Sequence, residues 1–120
     1  MMQDNIEPIR EMAGVQSTTS NLWNEYYRLS GLAINGGRSV VEAELVSLLL
    51  KVTEPALQAR IYNDLGVLES LDYRQSAAIR SFRLAIELQP EWPLPQENLS
   101  HLQRQRNSFG SRNGTPRTRV

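Results

Sequence analysis

The chain has 120 residues, thirteen basic and thirteen acidic side chains, one histidine and no cysteine. That length is one ordinary domain, and the missing cysteines exclude disulfides, thiolate metal sites and a cysteine nucleophile. The neutral total hides a gradient. From Leu99 to Val120 there are five arginines (Arg104, Arg106, Arg112, Arg117 and Arg119) and no carboxylate, so the remainder, with eight basic and thirteen acidic residues, carries a net charge of minus five.

Residues 1–18 read as a flexible N-terminal segment. Met1 to Gly14 holds Asp4, Glu7 and Glu11 without an apolar core, which is not the pattern of a secretory signal. Pro8 breaks any early helix, and Ile6, Ile9 and Met12 form at most one short apolar turn able to dock on the body. No apolar run approaches the roughly 20 residues of a membrane span, and a cytoplasmic location is the expectation.

Ser17-Thr18-Thr19-Ser20 supplies capping side chains for a helix beginning near Asn21. Leu22, Trp23, Tyr26, Leu29 and Ala33 then recur at helical spacing, and Asn35-Gly36-Gly37 ends the element. Trp23 and Tyr26 read as core; Tyr27 points elsewhere and reads as either an accessory interaction residue or an exposed aromatic. Ser39-Val40-Val41-Glu42 reads as a capping box opening a second helix that runs to about Val52. Its apolar residues, Val41, Leu45, Val46, Leu48, Leu49, Leu50 and Val52, cover more than half its circumference, so it is expected to be covered on two sides.

A third helix starts at Thr53-Glu54-Pro55, with Thr53 as cap and Pro55 in the first turn. Ala56, Leu57, Ile61, Leu65, Leu68 and Leu71 follow at three- and four-residue steps. Leu71-Asp72-Tyr73 leaves room only for a tight turn before a fourth helix, about Arg74 to Gln89, with Ala78, Ile79, Phe82, Ala85 and Ile86 on one stripe. Helices so joined are antiparallel neighbours. Gly66 inside a helix costs about 1 kcal/mol relative to alanine, which points to a close approach there, with Ala78 and Ala85 facing it and Phe82 filling the space between. Pro90 stops the fourth helix. After a stiff connection, Pro90 to Pro95, a fifth helix spans about Gln96 to Arg106, with Leu99 and Leu102 on an otherwise polar surface. Residues 108–120 have the composition of a disordered, arginine-rich tail.

Tyr62-x2-Leu65-Gly66, then Ala78-x3-Phe82-x2-Ala85, then Pro90, resembles one tetratricopeptide repeat over residues 59–92. Glu69 stands where that family usually has an aromatic, and the turn comes about two residues early. Trp23, Ala43 and Pro55 make the first helix pair similar to a diverged preceding unit. The resemblance implies an all-α fold, a short right-handed array of about five helices in antiparallel pairs over residues 19–107, with the polar fifth helix as its cap. It also implies a non-enzymatic adaptor that holds a partner's peptide or helix in a concave groove lined by Arg60, Asn63, Val67 and Ser70. Asn63 suits an extended peptide backbone and Arg60 a carboxylate; Trp92, between Pro90 and Pro93, reads as packing over the hairpin's end, with an accessory contact as the alternative.

The chemistry of catalysis is absent from the pattern. His101, the only histidine, lies on the polar last helix and reads as a solvated side chain. No HExxH, GxSxG or phosphate loop occurs, and Asn35-Gly36-Gly37-Arg38 follows a helix rather than a strand. The expectation is no enzyme, no cofactor and no metal. Two other functional classes stay open. The basic tail, Arg104 to Arg119, reads either as a solubilising tail or as a salt-dependent contact with nucleic acid or another acidic surface, and a short array with open ends offers self-assembly into a homo-oligomer.

Overall fold

A computed structural model describes residues 20–33 and 37–119, with side chains to Asn107. The chain is all-α: five helices, and no strand among the described residues. They are α1 (20–33), α2 (Arg38–Leu49), α3 (Pro55–Leu71), α4 (Gln75–Leu88) and α5 (Leu94–Arg119). Two compact units divide them, one ending at Val52 and the other starting at Thr53. The segment preceding Ser20, with its expected short apolar turn, and Ile34 to Gly36 lie outside the described residues.

In the first unit, α1 buries Tyr26 and Leu29 while Leu22, Trp23 and Ala33 are half-buried. This is the stripe expected from the spacing. α2 buries Val41, Leu45 and Leu48, at i, i+4 and i+7. Arg28 reaches Glu44 across the pair, and Glu25, one turn earlier, shares a small cleft with Ser47, Leu48 and Lys51, so α1 and α2 run antiparallel. The capping box does not form. Gly37 has φ 69° and ψ 34°, and its carbonyl accepts the Val41 amide at 3.1 Å, so the helix begins at Arg38 and no side chain caps it. Ser39 is thereby already inside the first turn. Nor is α2 covered on two sides: Val40, Val46 and Leu50 are exposed, Leu50 at 85%.

In the second unit, α3 is the central element. Every residue from Ala56 to Ser70 is buried or half-buried. Its start follows from Pro55 at N1. Proline disfavours the α region for the residue before it, so Glu54 sits extended, at φ −80° and ψ 122°, and takes the N-cap position that the sequence reading gave to Thr53. Its carbonyl then accepts from the Gln58 amide at 3.0 Å.

The α3–α4 turn is a Schellman closure. The Arg74 amide donates to the Glu69 carbonyl at 2.8 Å and the Tyr73 amide to the Ser70 carbonyl at 3.1 Å. The closure requires a left-handed residue, and Tyr73 takes that role at φ 62°, where glycine is the usual choice. α4 then packs along α3. Phe82 is almost fully buried on Gly66, and a Cβ added to Gly66 would stand 2.6 Å from the Phe82 ring. The glycine therefore has the packing role expected of it, with the ring rather than an alanine as nearest neighbour. Ala78 and Ala85 are fully buried.

α5 finishes the unit. Leu99 and Leu102 close a cluster with Ala78, Ile79 and Phe82, against which Val67 and Ile86 pack. The helix begins two residues before the expected Gln96 and its backbone continues to Arg119, across residues that read as a disordered tail and well past the expected end near Arg106. Gln103 to Arg106 are good helix formers, which accounts for the helix as far as Arg106; the composition from Asn107 onward, with Gly110, Gly114 and Pro116, gives no physical reason for its continuation.

Candidate functional site

The row Arg60, Asn63, Val67 and Ser70 occupies one side of α3, as its three- and four-residue steps require, but it is not an open wall. Asn63 is 3% exposed, and its Oδ1 accepts from Asn98 Nδ2 of α5 at 3.0 Å. Val67 packs into the cluster that Leu99 and Leu102 complete. Ser70 is half-buried and donates to the Val67 carbonyl at 2.8 Å. The Arg60 guanidinium lies over the Trp92 ring, 4.6 Å from its centroid, a cation–π contact that holds the proline-rich connection against α3. The polar side of α3 is thus one half of a joint with α5. A polar side chain on a helix face signals water or a polar partner alike, and here the partner is a second asparagine.

That partner has a signal in the sequence that the reading passed over. Leu99-Ser100-His101-Leu102 stands thirty-four residues after Leu65-Gly66-Val67-Leu68. The same leucine–small–leucine spacing recurs, and both leucine pairs are buried. α5 therefore meets α3 and α4 with the residues that α3 itself buries. Apart from the buried Pro95, the remaining side chains of α5 up to Asn107, among them Glu97, His101, Arg104, Gln105 and Arg106, are exposed or half-buried. Arg104 and Arg106 are exposed; Arg112, Arg117 and Arg119 lie on the helical backbone beyond the described side chains.

Glu69, at the position where the resembled family favours an aromatic, accepts a hydrogen bond from the Ser81 hydroxyl of α4 at 2.7 Å. Ser81 is buried, so the exchange of ring for carboxylate is matched by a hydroxyl on the facing helix. Sequence spacing alone did not pair these two.

The first unit carries the aromatic group. Trp23 meets the Tyr26 ring edge-on at 6.2 Å between centroids, and Tyr27 lies 5.8 Å from Trp23. Tyr26 is buried, whereas Tyr27 is 56% exposed. Beside them Arg28 binds Glu25 on its own helix and Glu44 on α2. The Arg28 hydrogen bond holds the Glu25 carboxyl below its ordinary range, and the same bond raises Arg28.

Among the described residues, no group of three or more metal-ligating side chains converges, and no helix is long and apolar enough to cross a membrane. His101 is exposed. What the arrangement offers is surface: a half-open seam where α3 meets α5, an aromatic edge on α1, and an apolar face on α2. No protein-family model, curated protein or solved structure matches the chain.

Proposed function

We propose that this protein is a non-enzymatic interaction module that holds a peptide or helix of a partner protein against its helical surface. The observation that carries the reading is the Gly66–Phe82 contact. A ring seated on a helix glycine, flanked by the fully buried Ala78 and Ala85, is the internal packing that the repeat-like spacing calls for. A repeat of that kind exists to stack helices and present a side of them. The contact surface is the seam of α3 and α5, with Arg60, Val67 and Ser70 on one helix and the exposed polar residues of α5 on the other. Asn63 acts there as a strut for α5 rather than as a direct contact, and Trp92 fixes the orientation of Arg60. Tyr27 belongs to a separate edge.

The test is selection of binders from a random-peptide display library with the full chain, followed by amide chemical-shift mapping of the selected peptide. Shifts clustered on Arg60, Val67, Ser70 and the first turns of α5, together with at least tenfold weaker binding by Ser70→Arg, support the proposal. Shifts confined to other surfaces, or no saturable binder, refute it.

A further inference from the structure

The outward face of α2 is unusual for a helix surface in water. Ser39, Val40, Ala43, Val46, Ser47 and Leu50 are all exposed, and none is charged. Within α2 they follow helical steps (39, 43, 46, with 40 and 47 beside them), and Leu50, the C-cap residue just past the helix, keeps a right-handed backbone (φ −66°, ψ −21°) that continues the step, so they form one strip opposite the buried Val41, Leu45 and Leu48. Exposed apolar strips bordered by charge mark interaction surfaces more often than isolated apolar residues do.

We infer that this strip pairs with the same strip of a second copy of the chain, the two α2 helices lying antiparallel about a twofold axis. Two features of the strip favour a self-partner. The first is size alternation. Leu50 is large, whereas Ala43, seven residues earlier on the same face, is small. Setting Ala43 level with Leu50 of the other copy drops each leucine beside the other's alanine, and brings Val46 level with Ser47. A twofold axis makes both contacts twice, as an isologous interface requires.

The second feature is charge. Glu44 and Lys51 are exposed on one edge of the strip, also seven residues apart. In an antiparallel pair, like edges meet. The register that seats Leu50 on Ala43 leaves Glu44 and Lys51 of the other copy offset by only about two residues, or about 3 Å at the helical rise of 1.5 Å. Two reciprocal pairs of opposite charge result. The groups facing that edge from α1 are Glu25 and Arg28, one of each sign, with Arg28 already on Glu44. They add no net charge to oppose the pairing.

The area sets the strength. Twelve residues of helix span about 18 Å, and one face of that length falls short of the roughly 800 Å² per partner of a standard interface. An interface below that size is expected to be weak and reversible.

Sedimentation equilibrium of the full chain from about 5 to about 500 µM tests it. The expected result is a mass rising from 13.6 kDa toward twice that value. Leu50→Glu, at a position exposed enough to leave folding intact, weakens association at least tenfold. Lys51→Glu also weakens it, and the exchange Glu44→Lys with Lys51→Glu restores it. A chain that stays monomeric throughout overturns the inference. So does a dimer indifferent to Leu50→Glu, or one that the charge exchange fails to recover.

Discussion

Replacing Gly66 with alanine sets two opposed effects against each other, and the structure decides which wins. In a helix interior the substitution alone is worth about 1 kcal/mol in favour of alanine. Here the new methyl meets Phe82 Cε1 at 2.6 Å, Cδ1 at 2.7 Å and Cζ at 2.9 Å, against ordinary contacts of about 3.5–4.0 Å. The ring must retreat by about 1 Å. It is almost fully buried, within a cluster that includes Ala78, Ile79, Leu99 and Leu102, so its neighbours must move with it. Overpacking of this kind costs about 1–3 kcal/mol or more. With three ring atoms inside 3 Å the cost falls in the upper part of that range, about 2–3 kcal/mol, so the net expectation for Gly66→Ala is a loss of about 1–2 kcal/mol, or a fall of several degrees in Tm at roughly 4 °C per kcal/mol. Gly31, also within a helix, has nothing within 4 Å of its would-be Cβ. Gly31→Ala is the control, and is expected to gain about 0.5–1 kcal/mol. Urea unfolding in a Trp23→Phe background leaves Trp92 to report on the second unit alone. Trimming the ring in the double variant Gly66→Ala/Phe82→Leu is expected to recover part of the loss, giving a coupling energy of about 1 kcal/mol in a double-mutant cycle. A Gly66→Ala protein as stable as the parent, or more so, would refute the close approach on which the repeat-like packing rests.

Tyr73 is left-handed at the α3–α4 turn and 87% exposed, so Tyr73→Gly gives up almost no burial and relieves a conformation costing about 1 kcal/mol; a higher urea midpoint with an unchanged m-value is expected. Asn63→Ala strands the Asn98 amide at a half-buried seam and is expected to cost about 1–3 kcal/mol, while Asn63→Ala/Asn98→Ala together cost less than the sum of the single losses, which equilibrium unfolding of the four proteins measures. Glu25 has its folded pKa lowered, chiefly by Arg28. A carboxylate with a lowered pKa adds stability above its unfolded value and loses it as pH falls through the folded one. Acidification below about pH 4.5 should therefore weaken the first unit in the parent more than in Glu25→Gln, and added salt should shrink the difference, as a circular-dichroism titration reads.

Periodicity carried most of the fold because the helices obey it. The α3 stripe from Leu57 to Leu68 and the α4 stripe from Ala78 to Ala85 are buried at the spacing that named them, and Pro55 and Pro90 bound those helices for steric reasons independent of tertiary contacts. Capping was less legible. Ser39 and Thr53 are good cap residues in isolation, yet the N-caps fall at Gly37, two residues before Ser39, and at Glu54, one residue after Thr53. The candidate site was the least legible part, because whether a face is open depends on what lies across it. Asn63 and Asn98 are thirty-five residues apart, and so is no local pattern. Only the recurrence of Leu65 and Leu68 as Leu99 and Leu102 hints that α5 returns to α3.

That return also constrains any partner. α5 does not shield a finished groove that could open by swinging the helix away, because Leu99 and Leu102 complete the cluster around Phe82. Lifting α5 would expose both leucines and part of the ring, at about 1.5–3 kcal/mol for each large side chain returned to water, and would break the buried Asn63–Asn98 bond as well. Together those terms approach the whole stability of a small domain. A ligand that merely competes with α5 for Asn63 would have to supply that sum before gaining any affinity. A ligand that lies along the seam, contacting Arg60 and Ser70 on one side and the polar face of α5 on the other, meets no such cost. On the proposed function, partner binding at this surface therefore requires α5 to be in place, and variants that loosen α5 without touching the seam, such as Leu102→Ala, should weaken binding in proportion to their loss of stability.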